Sequence, residues 1–207
     1  MIFYEPFDAD AFNDWCTDNG DKTLRLNYNL NENSIVVDAG GYVGQWAHDI
    51  NSMYNSIVFV LEPVSSLYDG IVDRFAQNSR VIPFHYGLSN RTHELQISVN
   101  GDSSSTYDQQ HSEMETILCK DVVEFFNEQN IDSVDLMKIN IEGGEYDLME
   151  HIIKNGLHHK ITNFQIQYHR FVPDCADRRN SISEALSKTH SRSWNYEWIW
   201  ENWELKK

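Results

Sequence analysis

The sequence predicts an α/β fold, a mostly parallel sheet with helices on both faces in a single domain. Three observations predict it. Short β-branched runs alternate along the chain with stretches whose apolar residues recur at helical spacing. The first such run, IVVDA at 35–39, passes at once into a glycine turn and a helical stretch, as a parallel βα unit requires. No repeat, low-complexity tract or long linker divides the chain.

Each element follows from local pattern. Residues 35–39 are apolar on both faces and read as a fully buried strand. VGQWAHDINSM (43–53) follows as a helix, SIVFVLE (56–62) as a strand, 65–78 as a helix and RVIPFHY (80–86) as a strand. Pro83 cannot donate to a ladder, which places that third strand near a sheet edge. ELQISV (94–99) alternates like a half-exposed strand, and NGDSSS after it reads as a loop. A helix is expected at 120–129, a strand at 134–142 (VDLMKINIE) and a helix at 145–155. A strand at 163–169 (NFQIQYH), a helix at 178–190 and a last strand around 195–204 complete the chain. Residues 1–33 are expected to be an N-terminal extension packing on the core, and 34–207 the domain proper.

Composition limits the partners. A chain of 207 residues can bury roughly 70% of its unfolded surface. With 41% hydrophobic and 23% charged residues it is too apolar for disorder. No apolar run approaches the roughly 18 residues of a membrane span. The start, MIFYEPFDADAF, lacks the basic region and apolar core of an export signal, so the expected location is the cytoplasm. Cys16, Cys119 and Cys175 are odd in number and widely spaced, as reduced thiols would be. The net charge of −16, from 32 acids against 16 bases, opposes a nucleic-acid partner and favours a neutral or cationic ligand.

The chemistry is expected around SIVVDAGGYVG (34–44). Gly40, Gly41 and Gly44 fall in the turn between the first strand and first helix, where glycine lets a ligand approach the backbone. Asp38 ends the first strand, and Glu62 ends the second, where it suits the two hydroxyls of a ribose. The pair reads as a nucleoside-cofactor site at the carboxyl ends of the strands. Two cofactors fit. A dinucleotide wants G-x-G-x-x-G, and here Ala39, Gly41 and Gly44 supply A-x-G-x-x-G. S-adenosylmethionine has no phosphate to cradle and carries a sulfonium charge that acids favour.

VDLMKINIEGGEYDLM (134–149) resembles the K-I-D-V-E-G-x-E motif of the FkbM-type S-adenosylmethionine-dependent methyltransferases, with Lys138, Glu142, Gly143 and Glu145 matching. VLEP (60–63), HYGLSN (85–90), GDSSST (101–106) and the terminal QIQYHRFVPD…SKTHSRSWNYEWIWENW are also similar to that family, from about residue 20 onward. The resemblance implies a class I methyltransferase (Rossmann-like) sheet and S-adenosylmethionine as cofactor. It implies cofactor contacts at Asp38, Ala39, Gly40, Gly41, Tyr42, Gly44, Glu62, Pro63, Gly87, Leu88, Ser104 and Ser105. It also implies methyl transfer to a hydroxyl oxygen, on a carbohydrate or other small-molecule acceptor. One departure stands out: the family has Asp where this chain has Asn140, and an amide cannot serve as a base.

Holding the acceptor in line can contribute roughly 7–11 kcal/mol, and a general base about 10²–10⁴-fold, so positioning should dominate. The candidate catalytic residues are Glu142 and Glu145 around the Gly-Gly turn, His169 at the end of QIQYH, and Lys138 and Asn140 on one strand face. Each has a structural alternative: a helix-dipole acid for Glu145, a strand-end hydrogen bond for His169, an ion pair with Glu142 or Glu145 for Lys138. Asn140, Glu142, Glu145 and His169 could hold a hard divalent cation, but no HxH or HExxH spacing is present and no metal is expected. His158-His159 reads as a solvated turn, and SSST (103–106) as a surface loop or a cofactor contact. Trp194, Tyr196, Trp198 and Trp200 share one period-2 face, as in a final strand packing aromatics inward or a platform for sugars; Trp46 reads as core. A nicotinamide-dependent oxidoreductase and a catalytically lapsed cofactor- or glycan-binding module are the alternatives.

Overall fold

The structure, a computed structural model, describes residues 9–100, 103–105 and 113–207. The helix α1 (Ala9–Thr17) leads through turns to β1 (Ile35–Ala39), α2 (Gln45–Tyr54), β2 (Ile57–Leu61), α3 (Ser65–Phe75) and β3 (Val81–Phe84). Four strands follow, β4 (Gly87–Ser89), β5 (His93–Asn100), β6 (Ser103–Ser105) and β7 (Glu113–Asp121), then α4 (Val122–Glu128), β8 (Leu136–Ile139) and α5 (Glu145–Lys154). A 3-10 turn at Leu157–Lys160 precedes β9 (Asn163–Ile166), α6 (Cys175–Leu186), β10 (His190–Tyr196) and β11 (Trp200–Leu205).

Seven strands form one sheet in the order β10-β11-β9-β8-β1-β2-β3. Its β3-β2-β1-β8-β9 part is parallel, and the β10–β11 hairpin adds antiparallel to β9. The central runs β1, β2 and β8 are almost wholly buried and apolar apart from Asp38 of β1 and Lys138 of β8, because helices cover both faces. One face packs Val37, Leu61, Ile139 and Phe164 against α4, α5 and α6, and the other packs Val36, Val60 and Leu136 against α2 and α3. Strand order reverses between β1 and β8, so the ligand crevice belongs outside the carboxyl ends of those two strands. Pro83 lies on the edge strand β3, as its missing N–H requires.

Several elements differ from expectation. The helix expected at 178–190 spans Cys175–Leu186, and the chain is already extended at His190. The single strand expected at 195–204 is a hairpin that turns at Trp198, whose φ is +62°. Trp194, Tyr196, Trp198 and Trp200 therefore do not share one strand face: Trp194 and Tyr196 pack on Trp15 of α1, Trp198 sits in the turn and Trp200 is buried in β11. The helix expected from 120 starts at Val122, because Asp121 caps it by accepting from the Val123 and Glu124 N–H groups. The preceding strand β7 was not anticipated; it pairs with β5 over seven residue pairs in a second sheet, β4-β7-β5-β6. Ser103–Ser105, expected as loop, pair with β5 as β6. His158 is 8% exposed and belongs to a 3-10 turn, not a solvated one.

Candidate active site

A cavity of about 770 Å³ opens at the switch point, a size suited to a small ligand. Its floor is the turn after β1. Gly40 has φ +89°, and a Cβ there would lie 1.9 Å from the Asn140 carbonyl oxygen, so the turn can sit on the β8 end only as glycine. The Gly40 and Gly41 N–H groups both donate to Leu61 O at 3.0 Å, which ties the turn to the end of β2. Gly44, at φ +73°, is the residue from which α2 starts; it faces Phe75 and, like Ala39, does not line the cavity.

Glu62, 5% exposed, stands beside this turn. Its two oxygens accept the Tyr42 N–H at 2.8 Å and the Val64 N–H at 3.0 Å, which fixes the carboxylate at the cavity wall. Burial outweighs those bonds and pushes its pKa up to about 7. Beyond it, Pro63, Val64, Leu88, Ile97, Ile117 and Cys119 form an apolar wall, much of it on the second sheet. Gly87 and Tyr42 line the same cavity. Ser104 and Ser105 pair as backbone in β6, but their side chains lie outside the described residues.

Asp38 and Lys138 form a buried pair. They face each other across β1 and β8 in register, and Lys138 Nζ donates to Asp38 Oδ1 at 2.9 Å and to Gly40 O at 2.6 Å. Lys138 thus pairs with Asp38, and not with Glu142 or Glu145 as its structural alternative would have it, because those two lie beyond the strand end. Asp38 is fully buried beneath the cavity, and desolvation raises its pKa against the pull of Lys138. Lys138 and Asn140 line the cavity, and Asn140 Oδ1 is a buried acceptor without a protein partner among the described residues.

At the far wall, Glu142 has φ +50° and Gly143 φ +101°, a sharp reversal that leaves Glu142 in the cavity and drops Glu145 below it. Strain of this kind in a non-glycine residue costs about 1–3 kcal/mol and is often found at functional sites. Glu145 is fully buried and accepts from the Gly143 N–H at 2.9 Å, the His169 N–H at 2.7 Å and His169 Nδ1 at 2.9 Å. The other imidazole nitrogen, Nε2, lies 3.6 Å from Glu142 Oε2. Burial lowers the His169 pKa, but the Glu145 hydrogen bond and the two carboxylates overcome it, and the net shift is upward. His169 is thereby held between two acids next to the cavity rim. Among the described residues no group of three His, Cys, Asp or Glu is arranged to hold a metal ion.

The sequence reading did not identify the wall made by Asp21, Lys22, Arg25 and Leu26, nor the apolar one on β5 and β7. The alternation of EMETILCKD could have signalled β7. No local pattern could have placed Arg25, which reaches the cavity through long-range packing.

Solved structures share this fold at low identity. The fibrillarin pre-rRNA processing protein of Methanococcus jannaschii aligns at a TM-score of 0.53 and 13% identity over 86% of this chain and 69% of its own. An rRNA methylase from Streptococcus thermophilus aligns at 0.51 and 9% identity over 86% of this chain and 90% of its own. M. capricolum TrmK in complex with S-adenosyl-homocysteine aligns at 0.49 and 15% identity over 86% of this chain, which spans 65% of that one. The sheet order and the likenesses to the fibrillarin and the Streptococcus methylase define a class I methyltransferase fold. No curated protein matches the chain significantly. The model of the methyltransferase FkbM domain matches residues 38–188, most of the chain, and the chain belongs to that family of S-adenosylmethionine-dependent methyltransferases.

Proposed function

We propose that this chain transfers a methyl group from S-adenosylmethionine to a hydroxyl of a carbohydrate, with His169 as the general base. The observation that carries the base assignment is the hydrogen bonding of His169: Nδ1 is engaged by Glu145, which leaves Nε2 facing Glu142, a residue of the cavity wall.

The residues present fit the cofactor. Glu62 offers a carboxylate for ribose hydroxyls, and the Pro63, Val64 and Leu88 wall suits an adenine face. Gly40, Gly41 and Tyr42 border the space between them and Asn140, whose unpartnered Oδ1 is available to a polar group of the ligand. Asp38 acts from below, through Lys138, rather than by contact. When bound, the cofactor would supply an electrophilic methyl group on a cationic sulfur that serves as the leaving group. Glu142 is suited to orient the acceptor hydroxyl, and His169 Nε2 to take its proton. The Glu145 carboxylate, hydrogen-bonded to Nδ1, stabilises the imidazolium charge that results on His169. Asn140 stands where an acidic residue is usual, and this arrangement does not need it as a base.

Residues 9–33 complete the site as an N-terminal extension, since Asp21, Lys22, Arg25 and Leu26 line the same cavity. A neutral sugar is favoured over a polyanion by the net charge of −16. The free state of the three cysteines accords with a reducing, cytoplasmic setting. Among the described residues no helix is long and apolar enough to cross a membrane.

The test is methyl transfer from labelled cofactor to a panel of mono- and oligosaccharides, read by mass spectrometry. Transfer to a sugar hydroxyl that is lost in His169→Asn supports the reading. Transfer that persists in that variant removes His169 from the mechanism, and transfer only to RNA or protein removes the carbohydrate.

A further inference from the structure

The α2 and α3 face of the sheet carries an unusual row. Asp38, Lys138, Gln165 and Asn202 sit in register on four adjacent strands, β1, β8, β9 and β11. All four are buried, Gln165 completely. Burying polar groups costs free energy unless each is hydrogen-bonded, so a row of four across a sheet core calls for a reason beyond packing.

Two members of the row hold Arg25, Gln165 directly and Asn202 through Tyr28, while Asp38 and Lys138 bond to each other. Gln165 Oε1 accepts from Arg25 Nε at 3.2 Å, and Gln165 Nε2 donates to Arg25 O at 3.0 Å and to Tyr28 Oη at 2.7 Å. The Tyr28 hydroxyl donates in turn to Asn202 Oδ1 at 3.0 Å. From the other side Trp46 Nε1 donates to Arg25 O at 3.1 Å, and the guanidinium lies over the Trp200 ring, 4.1 Å from its centroid. Both the backbone and side chain of one surface-segment arginine are therefore fixed. Its acidic partner, Asp21 at 2.8 Å, is 62% exposed, against 17% for Arg25, so this pair is screened by water and easily opened. Two other cations lie on this side of the cavity: Lys138 already donates to Asp38 and Gly40 O, and Lys22 is a point charge without the planar fork of an arginine. Arg25 is the better available cation.

Resting on the cofactor reading above, we infer that Arg25 binds the α-carboxylate of the cofactor's amino-acid moiety, and that Gln165, backed by Tyr28 and Asn202, holds it there. Glu62 and the apolar wall take the nucleoside end, so the amino-acid end falls toward Gly40, Asn140 and the 21–26 wall. Arginine presents a planar fork that matches a carboxylate, and a pre-positioned fork loses little freedom on binding. Arg25 lies ahead of the 38–188 region that defines the family.

The experiment compares two nucleosides by calorimetry. S-adenosylhomocysteine carries the amino-acid end, and 5′-methylthioadenosine lacks it. In Arg25→Met, affinity for S-adenosylhomocysteine should fall about tenfold to a hundredfold, while affinity for 5′-methylthioadenosine stays as in the unmodified chain. Arg25→Lys should recover part of the loss, and Gln165→Met should reproduce a smaller one with the same selectivity. Equal losses for both nucleosides would make Arg25 a purely structural residue, and an unchanged S-adenosylhomocysteine affinity would equally overturn the inference. Binding of 5′-methylthioadenosine also reports that each variant is folded. If the unmodified chain binds neither nucleoside, the cofactor site itself is misassigned and this inference falls with it.

Discussion

As the proposed ribose ligand, Glu62 has to be buried enough to be rigid and ionised enough to accept from two hydroxyls, and a pKa pushed up to about 7 sets these demands against each other. The ionised form accepts the backbone bonds and still offers lone pairs to a ribose; the protonated form would give one of them up. Cofactor affinity should therefore rise as pH passes from about 6 to 8, with a proton released on binding near neutrality, since a bound ribose favours the carboxylate. Titration calorimetry in buffers of different ionisation enthalpy measures both. In Glu62→Gln the pH trend should vanish and the binding stay weak throughout. His169, as the proposed base, titrates in the same functional sense, since its deprotonated form is again the working one. Its pKa is raised and the base is the neutral form, so kcat should climb with pH above 6.5. Replacing Glu145 by Gln removes the nearest negative charge, so the rising limb should move to lower pH while kcat at the plateau falls. His169→Asn should lower kcat by about 10²–10⁴-fold and leave S-adenosylhomocysteine affinity essentially unchanged. Glu62 was legible in the sequence because its distance from the glycine turn is set by the length of one βα unit. The partner of Lys138 was not, because it depends on which strand lies next to β8 and in what register.

The hairpin β10–β11 and the helix α6 meet on one buried arginine. Arg179, 6% exposed, donates to Glu201 through Nε at 2.9 Å and also through Nη2. It reaches Asn195 at 2.8 Å and Glu197 at 3.1 Å, and lies over the rings of Tyr168 and Trp198. Removing one member of such a pair leaves a buried charge behind. Arg179→Met should cost about 3–5 kcal/mol in chemical denaturation, and the double variant with Glu201→Gln should recover part of that loss. The hairpin escaped the sequence reading because WNYEWIWENW keeps a period-2 aromatic pattern through its turn. No Gly, Pro or Asn-Gly pair marks the reversal, which falls at Trp198 in the left-handed region. The parallel core elements were readable for the converse reason: burial on both faces demands continuous apolar runs, and each run ends in a turn signal or an acid. The second sheet lay between these limits, with β5 visible by alternation and its partner β7 passed over.

At the scale of the whole molecule, 32 acids against 16 bases dominate the field, and this much was fully legible in the sequence. The sequence also conveyed the alternating architecture, but not that residues 21–26 fold back over the sheet to wall the cavity, since that contact joins segments some 140 positions apart. The charge imbalance has two consequences that can be tested together. Like charges spread over one surface repel, and this repulsion is relieved when salt shortens the screening length from roughly 30 Å at 0.01 M to 8 Å at 0.15 M. The midpoint of thermal unfolding should therefore rise with sodium chloride over that range. Local ion pairs such as Arg178 with Asp147 and Glu150 work against this trend, because salt weakens them as well. With the acids in twofold excess, repulsion should win. The same field bears on the acceptor: a nucleic acid would bring more negative charge to a negative surface, with only 16 bases against 32 acids to release its counterions. At 0.15 M salt, filter binding of an rRNA fragment should remain undetectable where a neutral oligosaccharide is methylated. If unfolding shifts downward with salt and RNA is retained, the charges are not spread but sorted into a basic face, and the acceptor must be sought among polyanions instead.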